Sequence, residues 1–151
     1  NTARTLFVAG NYSEALDWVN RILNEKMTDA REDLNAAARI LYLLIHYELG
    51  NDILLESIIT STKNSLKYKR RLFKAEQIIL THLARLNGAR KGKDRGVIFT
   101  SLTQNLQAIF NDSGEVRTST MDDISGWITS KITGKPIGKI IADSYLAEYK
   151  K

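Results

Sequence analysis

The sequence predicts an all-α protein, a stack of antiparallel helix pairs closed by capping helices at its C-terminal end. Three observations carry this. A chain of 151 residues holds one Pro, so long helices can run without interruption. Apolar residues recur at spacings of three and four through most of its length. And the dipeptide Gly-Asn punctuates the chain twice, at Gly10-Asn11 and again 40 residues later at Gly50-Asn51, each time between two helical patterns.

Residues 2–9 form the end of a first helix, stopped at Gly10, which can take the positive φ that ends it. Asn11 or Ser13 then opens a helix from about Ser13 to Lys26, with Ala15, Leu16, Val19, Ile22 and Leu23 on one face. Thr28 or Asp29 caps a long helix through Leu49, carrying Leu34, Ala38, Leu41, Ile45 and Leu49 at helical spacing. Its segment Ile40–Ile45 is apolar nearly all round, which makes it the central helix, covered on most sides. After the second Gly-Asn comes a helix from Asp52 to about Leu66, with Ile53, Leu54, Leu55, Ile58 and Ile59 inward. A third pair starts near Lys69 and uses Leu72, Phe73, Ile79, Leu80, Leu83 and Leu86.

The span 88–96, with three Gly and four basic residues but no apolar period, reads as a basic loop. Val97–Asn111 is amphipathic through Ile98, Leu102, Leu106, Ile109 and Phe110. Thr120-Met121-Asp122-Asp123 has the form of a capping box, opening a helix with Ile124, Trp127, Ile128 and Ile132 inward. Gly134 stops it, and Pro136 suits the first turn of a last helix, Ile137–Tyr149. The expected organisation is one domain over 1–151: helix-pair repeats in 1–87, the basic loop, then C-terminal helices and cap in 97–151.

The segment Gly10-Asn11-Tyr12-Ser13-Glu14-Ala15, with Leu23 further on, resembles the second half of a tetratricopeptide repeat. The likeness is strong over 1–26 and fair over 32–66, where Leu55 replaces the small residue of the first copy and implies wider helix spacing. The period of 40 also exceeds the repeat's usual length of about 34 residues, which implies longer helices. The tail Ile124–Ile132 with Lys135-Pro136-Ile137, together with Arg39 and His46–Asn51, is similar to the C-terminal part of a bacterial group of long tetratricopeptide-like proteins without an assigned activity. The resemblance implies a right-handed α-α superhelix, and a chain that is a piece of something longer.

Composition narrows the function classes. No run of eighteen apolar residues occurs, so no transmembrane segment is expected. No charged-then-apolar leader follows Asn1, and the expected location is cytoplasmic. Zero Cys rules out thiol catalysis and Cys-based zinc sites. Neither a Gly-x-Ser-x-Gly nor a phosphate-cradling Gly-rich motif is present, and the two histidines, His46 and His82, belong to no His-Glu-x-x-His pair. The chain is therefore expected to be non-catalytic, with no cofactor and no metal.

Two features remain for binding. Arg39, Tyr42 and His46, with Tyr47 beside them, interrupt the otherwise apolar central helix at spacings of three and four. In repeat scaffolds the first helix of each pair lines the concave face, which makes these four the candidate partner-binding residues. The competing reading pairs Arg39 internally with Glu14, Asp17 or Glu56. The second feature is charge. Residues 1–62 hold five Lys and Arg against nine Asp and Glu, 63–95 hold eleven against two, and 96–151 hold six against six, so the net charge of +5 originates in one segment. Within it, Lys69, Arg70, Arg71, Lys74, Arg90, Lys91 and Lys93 form a basic patch that nucleic acid or another anionic surface could use. The leading expectation is a scaffold that binds a peptide or partner protein on its concave face, with nucleic-acid binding through 63–95 as the alternative.

Overall fold

In a computed structural model, which describes residues 2–25, 32–68, 74–89, 93–112 and 119–149, every regular element is an α-helix. The helices are α1 (Thr2–Val8), α2 (Tyr12–Asn24), α3 (Glu32–Glu48), α4 (Asp52–Tyr68), α5 (Lys74–Gly88), α6 (Lys93–Asp112), α7 (Ser119–Thr133) and α8 (Ile137–Tyr149). They fall into two compact units, Asn1–Phe73 and Lys74–Lys151. Within the first, α1 packs on α2, α2 on α3 and α3 on α4; within the second, α5 packs on α6, α6 on α7 and α7 on α8.

The two Gly-Asn turns of the first unit are one structure built twice. Gly10 has φ +82° and Gly50 φ +73°. At the first turn, Gly10 N–H donates to the Phe7 carbonyl at 3.0 Å and Asn11 N–H to the Leu6 carbonyl at 2.9 Å. At the second, Gly50 N–H donates to Tyr47 at 3.2 Å and Asn51 N–H to His46 at 3.1 Å. This is the Schellman pattern, which satisfies carbonyls that a helix end leaves open. The Asn carbonyl then starts the next helix, accepting from Ala15 N–H at 2.9 Å and from Leu55 N–H at 2.8 Å. Asn11 makes no side-chain cap bond, contrary to expectation; its backbone alone joins the two helices.

Burial follows the same 40-residue offset. Ala3 matches Leu43, Ala15 matches Leu55 and Val19 matches Ile59, and all six are buried. Tyr12, which follows the first turn, packs its ring against Phe7 at 5.7 Å. Partial burial, with the Glu48 carboxylate as a lesser cause, pushes its phenol up to about 12.

Helix α3 is covered as its all-round apolarity requires: Ile40, Leu43, Leu44 and Ile45 are at most 2 % exposed, because α2 and α4 both pack on it. Other inward assignments fail. Leu34, Leu49, Ile53 and Leu54 are exposed, Ile53 by 89 %. One helix can press only a narrow stripe on a single neighbour. On α4 that stripe is Leu55, Ile59 and Thr62, at steps of four and three, which turns Ile53 and Leu54 outward.

In the second unit, Ile79, Leu80, Leu83, Leu86, Ile98, Leu102, Leu106, Ile124, Trp127 and Ile128 are buried as the pattern predicts. Phe99 joins them, its ring meeting Trp127 edge-on at 5.4 Å. Ile132 is half exposed instead of inward. Helix α7 approaches α8 closely at Gly126, where a Cβ would lie 3.2 Å from Ile141. Three boundaries differ from expectation. α6 begins at Lys93 and Gly88 ends α5, so both ends of the span expected as a basic loop are helical. α7 begins at Ser119, which puts Thr120 in the first turn and not at the cap. α8 runs over Ile137–Tyr149 as expected, with the Pro136 carbonyl accepting from Ile140 N–H at 3.2 Å. And the capping residues Thr28 and Asp29, with the start of the third pair at 69–73, lie outside the described residues.

Two stability predictions follow from this packing. A Cβ added at Gly10 or Gly50 meets nothing within 4 Å, so Ala there costs only left-handed backbone strain. Each substitution should lower unfolding stability in urea by about 1–2 kcal/mol. Trp127→Ala, which empties a fully buried site, should cost about 3–5 kcal/mol by the same measurement.

Candidate functional site

The first unit holds a cleft of about 390 Å³ between α2, α3 and α4. Leu23 of α2 and Ile58 of α4 give it apolar wall, and Asn35, Arg39 and Tyr42 of α3 face Ser57, Ser61 and Thr62 of α4. The α3 contribution is one helical stripe, with steps of four and three that bring successive side chains to the same side. On α4 the pairs Ser57/Ser61 and Ile58/Thr62 are each four apart, which aligns them along the opposite wall.

Of the four partner-binding candidates, the structure brings Arg39 and Tyr42 together in this cleft, both half-buried. Glu14, Asp17 and Glu56, the acids considered as internal partners for Arg39, are exposed and line no part of it. His46 continues the stripe one turn further but is only 3 % exposed, so it supports the cleft and does not form its surface. Its ring stands edge-on to Tyr42, 4.4 Å between centroids at 88°. Asn51 Nδ2 donates to His46 Nδ1 at 3.0 Å, which leaves the ring proton on Nε2, buried without a hydrogen-bond partner among the described residues. The second Gly-Asn turn thus fixes the imidazole that backs Tyr42. Tyr47, half-buried, does not line the cleft.

Sequence reading missed Asn35, Ser57, Ser61 and Thr62. Asn35 was legible, because it extends the polar stripe of Arg39, Tyr42 and His46 by one turn towards the N-terminus. Asn35 and Thr62 are each 4 % exposed. They are the two buried polar side chains of the cleft.

The basic patch is mostly out of view. Lys69, Arg70, Arg71, Arg90 and Lys91 lie outside the described residues, as does the side chain of Lys93. Lys74 is exposed at the start of α5. Arg95 turns back on its own unit, donating to the Ala89 carbonyl at 3.5 Å. His82 is accounted for by packing. Its Nδ1–H donates to the Ile78 carbonyl at 2.7 Å, and Nε2 accepts from Ser101 Oγ at 3.3 Å and Asn105 Nδ2 at 3.4 Å, tying α5 to α6. Among the described residues, no group of three or more His, Asp or Glu could hold a metal ion, and no helix is long and apolar enough to cross a membrane.

Burial holds the His46 pKa below its ordinary value of 6.5. The unfolded chain therefore takes up a proton near pH 6.5 that the folded one resists, so this contribution to stability is complete above that pH and is lost as pH falls below it. Urea unfolding between pH 7.5 and 5.5 should show the loss, with a slope of at most about 1.4 kcal/mol per pH unit. In His46→Gln that part of the slope should disappear.

Compared with protein-family models, with curated proteins and with solved structures, the chain has no match.

Proposed function

We propose that this protein is a non-catalytic scaffold that binds a peptide or a segment of a partner protein along α3, with the cleft at Arg39 and Tyr42 as the contact surface. The observation that supports the reading is that cleft. A helix buried between two neighbours carries a row of polar side chains on one side, and that side opens into a concavity with apolar and hydroxyl walls. The twice-built turn, with its 40-residue offset, fits the repeat-scaffold reading, in which α1–α2 and α3–α4 are units of a right-handed tetratricopeptide-like superhelix. A cytoplasmic location belongs to the same proposal.

A displayed library of random twelve-residue peptides, panned on the chain, tests it. Selected peptides should lose equilibrium affinity for Tyr42→Ala and Arg39→Gln. Ser at Arg70, Arg71, Lys91 and Lys93 should change mainly their association rate, since charges outside a contact steer the encounter. The result that overturns the reading is a random single-stranded oligonucleotide that stays bound near physiological salt and is released by the four Ser substitutions. Its affinity would fall log-linearly with salt, by about 0.7 per phosphate contacted.

A further inference from the structure

We propose that His46 puts the α3 cleft under the control of pH: protonating its ring breaks the link between the second Gly-Asn turn and Tyr42, and the cleft wall loosens. What the cleft binds rests on the scaffold reading above; the control of that same site is what is added. The geometry is built for a neutral imidazole. Asn51 Nδ2 donates to Nδ1 at 3.0 Å, so Nδ1 is already taken up as an acceptor. Nε2 is buried without a hydrogen-bond partner among the described residues. The ring is 3 % exposed and stands edge-on to Tyr42, 4.4 Å between centroids.

A second proton defeats this arrangement. An imidazolium donates at both nitrogens and needs two acceptors. At Nδ1 it meets the Asn51 amide N–H, donor against donor, until that amide turns over to offer its oxygen. At Nε2 no described group accepts. A buried charge without a partner is strongly unfavourable, so the ring leaves its place when it takes up the proton. Tyr42 then loses the contact that backs it on the cleft wall. The turn itself keeps its backbone bonds, with Asn51 N–H on the His46 carbonyl at 3.1 Å and Leu55 N–H on the Asn51 carbonyl at 2.8 Å.

No neighbouring charge relieves the imidazolium. On α3, Glu48 lies two residues on and therefore on another face, with its effect on the Tyr12 phenol, and Arg39, two turns back, is itself a cation. Helix α2 brings the half-buried Tyr12 and the exposed Glu14, Asp17 and Arg21, and α4 brings the exposed Asp52, Glu56 and Lys63. Burial alone accounts for the ring's resistance to a proton, so the change comes as pH falls below 6.5 and is absent above it.

The test follows the full chain by NMR from pH 7.5 to 4.5, reading the imidazole, Asn51 amide and Tyr42 ring signals together, with His46 assigned by its loss in His46→Phe. At pH 7.5 the ring nitrogen shifts should place the proton on Nε2. On acidification the Tyr42 and Asn51 signals should move reversibly with the His46 midpoint while circular dichroism stays helical. In His46→Phe, a ring that cannot titrate, the Tyr42 movement should vanish; should that variant fail to fold, His46→Gln serves in its place. Asn51→Asp sets a carboxylate against Nδ1 and should raise the midpoint by about 1–3 pH units. One pH unit below the midpoint about a tenth of the rings stay neutral, so a selected peptide free of Asp, Glu and His should bind the parent about tenfold more weakly than at pH 7.5, a loss absent in the His46 variant. A Tyr42 signal that stays still while His46 titrates overturns the proposal. So does a midpoint at 6.5, unfolding in step with the titration, or a midpoint that fails to rise in Asn51→Asp. Peptide affinity unchanged across the midpoint overturns the pH control and leaves the scaffold reading standing. Absence of any selected peptide at pH 7.5 overturns the scaffold reading, while the coupling of His46 to Tyr42 is decided by the NMR titration alone.

Discussion

The left-handed glycine turn is the constraint on which the first unit depends. A helix that must reverse within three residues leaves its last carbonyls open and must take a backbone conformation that side chains disfavour. Gly10 and Gly50 solve both problems with the same pair of hydrogen bonds, and the Asn that follows each glycine begins the next helix with its own carbonyl. Once the turn is set, the rotation of each following helix is set too. Ala15 and Leu55 then face inward at equivalent positions although they differ in size, and the helix they belong to buries the residue four further on, Val19 or Ile59.

The second turn does more than the first. Asn11 keeps its side chain out of the turn's hydrogen bonding, whereas Asn51 spends its amide on His46. That bond fixes the imidazole tautomer, and the imidazole stands edge-on against Tyr42 on the cleft wall. A structural device that closes α3 is thereby connected, within one helical turn, to the side chain that meets the solvent-filled concavity. The connection gives a role to a histidine 97 % withdrawn from solvent, whose Nε2 has no hydrogen-bond partner among the described residues.

How much of this could be read from the chain depends on what each feature rests on. Helix positions and the turns were legible because glycine, asparagine and apolar spacing act locally; the last helix begins and ends where its pattern does, at Ile137 and Tyr149. The inward face was legible only where one stripe is apolar and the rest polar, as on α2. On α4 three consecutive apolar residues, Ile53, Leu54 and Leu55, left the choice to tertiary packing, and only Leu55 turned inward. Arg39 and Tyr42 stood out as polar interruptions of an apolar helix. Ser57, Ser61 and Thr62 did not, because on a helix of mixed polarity nothing local distinguishes a hydroxyl that faces water from one that faces a cleft.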